Sequence, residues 1–141
     1  MTDWSAVTGR KLHTRAPASA VDVSKLEASL NVSLPSDYKE FFLWSNGGEG
    51  DFGGLYLAMW STDEVASLNE LYSIRRRIGD DFIGVGTDGG DYCFAVDLRN
   101  NAAFVVVPLG ALADDEVKRL ADSFTDGLTA IRDGKITGDD L

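Results

Sequence analysis

Cysteine, histidine and proline are nearly missing from this 141-residue chain, which holds one cysteine, one histidine and three prolines. A single thiol, Cys93, excludes an internal disulfide, and a reducing compartment is its simplest home. One Cys and one His cannot supply the four N/S ligands of a structural zinc site. Long apolar runs are missing too. The longest, Ala102 to Ala113, is broken by Pro108 and Gly110 and falls short of the ~20 residues that a membrane span needs. The opening residues contain no unbroken apolar segment, so no secretory signal is expected. Positive charge is scarce: 13 Lys and Arg stand against 23 Asp and Glu, a net charge of −10. Such a surface repels a phosphate backbone, because nucleic-acid binders need a basic face. The expectation is a cytoplasmic protein that binds neither nucleic acid nor membrane and could steer a basic protein partner.

What is present is ordinary globular material, 44% hydrophobic and 26% charged. The most informative stretch runs from Leu34 to Gly48. After Pro35, the residues Tyr38, Phe41, Phe42 and Ser45 fall at i, i+3, i+4, i+7, which predicts one buried helix face. Pro35 suits the first helical position, and Asn46-Gly47 should end the helix. The following segment, Gly47 to Gly54, is so rich in glycine that an exposed loop is expected.

Elsewhere the pattern alternates between helices and strands. Residues 1–18 read as an N-terminal arm docked through Trp4, with the lone His13 solvated. Ser19 and Asp22 have capping-box spacing, so a first helix is predicted over 20–30 with Val23, Leu26 and Leu30 inward. Leu55–Trp60 reads as a strand. Ser61 and Glu64 then open a helix that carries Val65, Leu68, Leu71, Tyr72 and Ile78 inward, with Arg75, Arg76 and Arg77 at its negative end. Phe82–Gly86, Asp91–Leu98 and Phe104–Val107 are predicted strands, the last two forming a hairpin. A closing helix should begin at Asp114 and carry Val117, Leu120, Ala121, Phe124, Leu128 and Ile131 on one stripe, with a break near Asp122 and a stop at Gly134. The expected fold is a single α+β domain over 19–134, followed by a tail at 135–141. Its mainly antiparallel sheet of about four to six strands packs against N-terminal, middle and C-terminal helices.

Catalytic chemistry finds little support. Gly84-x-Gly86-x-x-Gly89 matches a dinucleotide fingerprint by letters, but it leads into a strand where that mechanism needs a helix N-terminus. Cys93 lacks a sequence-local base. The acids Asp80, Asp81, Asp88, Asp91 and Asp97 do not have the spacing of a calcium loop. No catalytic, cofactor or metal residue is assigned, and no enzyme is expected.

Four motifs in order carry a resemblance. Leu26-Glu27 with Leu30 precede Leu34-Pro35; Asn46-Gly47-Gly48 follows; then come Gly86-Thr87-Asp88-Gly89-Gly90-Asp91-Tyr92 and Ala121-Asp122-Ser123-Phe124 with Leu128. Over residues 17–132 this pattern resembles the SUKH superfamily of SMI-KNR type domains, departing where Leu30-Asn31 stands for the usual Leu-Gly. The resemblance implies a binding role, since many bacterial members are immunity proteins that neutralise a cognate toxin. A basic, nuclease-type toxin would suit the charge. The candidate contact residues are Glu49, Asp51, Asp80, Asp81, Asp88 and Asp91, on a monomer or weak homodimer. The alternative is a regulatory or scaffold module without a toxin, as in eukaryotic relatives.

Overall fold

Serine hydroxyls decide where three of the longer helices begin. The computed structural model describes residues 2–141. In it Ser19 and Asp22 cap each other's backbone at the start of α2 (Ala20–Leu30), and Ser61 and Glu64 do the same for α4 (Thr62–Leu71). Asn31, left-handed at φ 55°, ends α2 at the predicted place. Before α2 lie a short helix α1 (Trp4–Val7) and a two-residue strand β1 (His13–Thr14). The Leu34–Gly48 stretch forms α3 (Ser36–Trp44), with Pro35 one position earlier than expected, as the cap residue. Tyr38, Phe41 and Phe42 are fully buried on it.

The remaining strands are β2 (Gly48–Asp51), β3 (Tyr56–Met59), β4 (Phe82–Thr87), β5 (Tyr92–Asp97), β6 (Ala103–Pro108) and β7 (Lys118–Ala121). Helix α5 (Ile74–Ile78) precedes β4, and α6 (Phe124–Arg132) follows β7. The seven strands pair antiparallel in chain order, β1 to β7, so the sheet is a meander and the fold is α+β. That is one strand more than the expected range.

Strands β4 to β6 are buried at nearly every position, with α4 and α5 packed on β4 and α6 on β6. Neighbouring strand residues point to opposite faces. On one face Phe94 stacks on Phe104 at 5.5 Å, and Phe104 meets Phe124 of α6. Phe124 in turn lies 4.9 Å from Tyr38 and 6.0 Å from Trp4, so α1, α3 and α6 share one aromatic cluster. Asp37 joins α3 to α6 by accepting from the backbone N–H and the hydroxyl of Thr125. On the other face, beside Cys93, α4 and α5 pack against Gly84 through Asn69 and Ile74.

Asn69 fills a gap in the sheet. Strand β3 ends at Met59 and only the Trp60 N–H reaches further, to Val85. Gly84, next along β4, therefore has no strand on that side. The Asn69 carboxamide takes its place, accepting from the Gly84 N–H at 2.8 Å and donating to the Gly84 carbonyl at 2.9 Å. It also donates to the Val65 carbonyl, and the side chain is 2% exposed.

Three expectations change. The segment at Asp114 is a 3₁₀ turn (Asp114–Glu116) followed by β7, and the helix begins only at Phe124, where Ser123 caps it. Val117, Leu120 and Ala121 fit a helical stripe, but pairing with the Val-rich edge of β6 satisfies more backbone and wins. The helix opened by Ser61 is interrupted at Ser73, which is left-handed at φ 58°, and Leu71 and Tyr72 point outward there. Finally, the glycine-rich segment is largely a strand. A methyl group at Gly50 would strike the Lys11 carbonyl, so glycine there permits the close approach of the N-terminal segment to β2.

Candidate partner-binding surface

The Asn46-Gly47-Gly48 motif is a structural junction. Ser45 turns extended after α3; its hydroxyl accepts from the Arg15 N–H at 2.9 Å and donates to the Gly47 carbonyl at 2.6 Å. The Asn46 carboxamide accepts from the Thr62 N–H at 2.8 Å, which locks the start of α4 to the end of α3. Gly47, at φ 84°, then delivers the chain into β2. Glu49 and Asp51 alternate on β2 with buried Gly48 and Gly50, so both carboxylates stand on the exposed face.

The next strand adds Tyr56, directly opposite Asp51. Its hydroxyl donates to the Glu49 carboxylate at 2.7 Å, and that bond, helped by burial and the charges of Glu49 and Asp51, raises the phenol above its usual value. The Tyr56 ring passes over Gly89 in the β4–β5 turn, where a Cβ would lie 3.0 Å from it. Asp88 and Asp91 sit in that same turn. Asp88 accepts from the backbone of Gly90 and Tyr92 and holds the turn closed, while Asp91 is exposed. Glu49 and Asp51 thus flank Tyr56, and its ring reaches the turn that carries Asp88 and Asp91, so the four acids share one end of the sheet. Sequence patterning left Tyr56 unmarked, since an aromatic in a short strand reads as core.

Asp80 and Asp81 lie at the opposite end of β4, before Phe82. The Asp80 carbonyl accepts from the Arg75 guanidinium at 2.9 Å, and the residue lines a cleft of about 700 Å³ between α2 and the α4–α5 pair. The six acids therefore form two separate groups.

Elsewhere the candidate chemistry is dispersed. Burial pushes the Cys93 thiol up to about 12, leaving it protonated at neutral pH. His13 pairs with Glu49, Glu49 with Ala58, Ala58 with Thr87 and Thr87 with Cys93. Four strand spacings of about 4.8 Å separate the histidine from the thiol, roughly 19 Å, too far for a nucleophile and its base. The Gly84–Gly89 glycines run from β4 into a turn and β5, so no helix N-terminus faces them. Among the described residues no three His, Cys, Asp or Glu side chains converge as metal ligands, and no helix is long and apolar enough to cross a membrane.

Helices thus pack on both faces of an antiparallel meander, and its acidic end follows the Asn46-Gly47-Gly48 junction. Residues 17–130 match the model of the SMI1 / KNR4 family (SUKH-1), and the chain belongs to that family. It is also similar to protein YnaB of Bacillus subtilis (strain 168), 36% identical over 104 residues, which cover 74% of this chain and 68% of that protein.

Proposed function

We propose that the protein is a non-catalytic immunity protein that neutralises a cognate bacterial toxin by binding it directly in the cytoplasm. The observation that carries this reading is that Glu49 and Asp51, beside Tyr56, share one end of the sheet with the turn of Asp88 and Asp91, on a chain of net charge −10. Family membership supports it, because many bacterial relatives have this role. Carboxylates on rigid strands and closed turns are held ready for a partner, so little ordering entropy is lost on binding. Their sign suits a basic toxin of the nuclease type and would speed encounter more than it tightens the final complex. Asp80 and Asp81 stand apart and form a separate, secondary candidate contact.

The test begins with the neighbouring open reading frames. A neighbour encoding a toxin, co-expressed with this chain, should co-purify as a complex that weakens as salt rises. Glu49→Lys with Asp51→Lys should slow association by about tenfold or more at low salt. If no neighbour encodes a toxin and none co-purifies, a regulatory or scaffold role replaces this reading.

A further inference from the structure

A groove of about 580 Å³ lies between two chain segments, residues 71–77 on one side and 109–116 on the other. Leu71, 72% exposed, and Tyr72, 39% exposed, project from the first wall. Leu71 lies on the side of α4 away from buried Val65 and Asn69, and Tyr72 follows as the cap just before the left-handed Ser73. They give one wall of a largely polar groove an apolar rim. The Tyr72 ring lies beside Trp60, centroids 6.2 Å apart and planes within 19° of parallel. The second wall offers Leu109 and Leu112, both partly buried against the core.

Charge identifies the occupant. Arg77 stands on the first wall, Asp115 and Glu116 on the second, and none of the three forms an ion pair among the described residues. Asp114 is already engaged by Arg99 at 3.1 Å. A two-fold axis through the groove exchanges its walls. It would seat Leu71 and Tyr72 of each copy against Leu109 and Leu112 of the other. The same rotation brings each Arg77 toward the other copy's Asp115 and Glu116. A purely basic partner would instead leave Arg77 facing like charge.

We infer that this groove is an isologous interface between two copies of the chain. The overall charge of −10 opposes self-association, but at about 0.15 M salt the Debye length is about 8 Å, and most of that repulsion is screened.

Sedimentation equilibrium at this salt, from micromolar to sub-millimolar protein, should show a concentration-dependent shift from the 15.2 kDa chain to twice that mass. Leu71→Asp, at a site exposed enough to leave the fold intact by circular dichroism, should abolish the shift. Arg77→Glu should weaken it, and adding Asp115→Arg and Glu116→Arg to that variant should restore it by exchanging the signs across the axis. A wild-type chain that stays monomeric overturns the inference. So does a Leu71→Asp dimer as tight as wild type, or a charge-exchanged variant that fails to recover. These readouts involve no toxin, so they are independent of the immunity reading.

Discussion

Replacing Asn69 with leucine tests whether a side chain stands in for a missing strand. The substitution keeps a similar volume but removes both bonds to Gly84, at 2.8 and 2.9 Å, leaving a buried N–H and a buried carbonyl facing hydrocarbon. The Val65 carbonyl keeps a partner through the ordinary helix bond. Each orphaned backbone group costs about 1–3 kcal/mol, and the extra apolar burial of leucine offsets about 1 kcal/mol of the sum. The net loss should be about 1–5 kcal/mol, a large share of the 5–15 kcal/mol typical of a domain, with a fall in melting temperature on the order of 10 °C. Urea unfolding followed by fluorescence of the three tryptophans measures it, with the m-value unchanged. Asn69→Asp sharpens the test. Burial raises that carboxyl in the folded state above the unfolded value of about 3.9, so the folded chain keeps its proton longer. Stability is then highest in mild acid, where the protonated group can still donate, and declines as pH rises past about 4. A leucine variant that loses under about 1 kcal/mol would refute the stand-in role, showing that Gly84 needs no partner there.

Two further outcomes follow from buried polar atoms. Cys93 should resist disulfide reagents in the native protein at pH 8 and react once denatured. Because its folded value of about 12 exceeds the unfolded value of about 8.5, stability should hold below pH 8.5 and fall as pH rises toward 12, a slope that Cys93→Ala removes; rapid native labelling would show the site to be open. The Tyr38 hydroxyl is buried with no partner among the described residues, so Tyr38→Phe should leave stability unchanged or raise it by about 1 kcal/mol. A melting temperature lowered by several degrees would show that the hydroxyl is bonded after all.

Much of the fold was legible because local chemistry decided it. Helix α2 occupies 20–30 as read, since Ser19 and Asp22 cap its start and Asn31 its end within four residues of the chain. The strands rich in Val and Phe, β5 and β6, were equally plain. The misreadings share one cause. Val117, Leu120 and Ala121 have helical spacing, but β6 offered an unpaired edge that no local pattern reveals. Gly48 and Gly50 resemble loop residues because glycine marks both flexibility and close approach, and only the positions of His13 and Lys11 show which applies. Of the six acids proposed from the sequence, proximity within the chain suggested three pairs; the sheet joined two of them through Tyr56 and left Asp80 and Asp81 at the far end.

By itself the sequence determined the charge, the single thiol, the capped helices, the aromatic face of α3 and the order of family motifs, because each depends on composition or on residues close together in the chain. Tertiary structure alone decided that Asn46 fastens two helices, that Asn69 completes a strand, and that Leu71 and Tyr72 face outward. Those roles arise where backbone groups or side chains far apart in sequence must be satisfied together, and spacing along the chain holds no record of such distances.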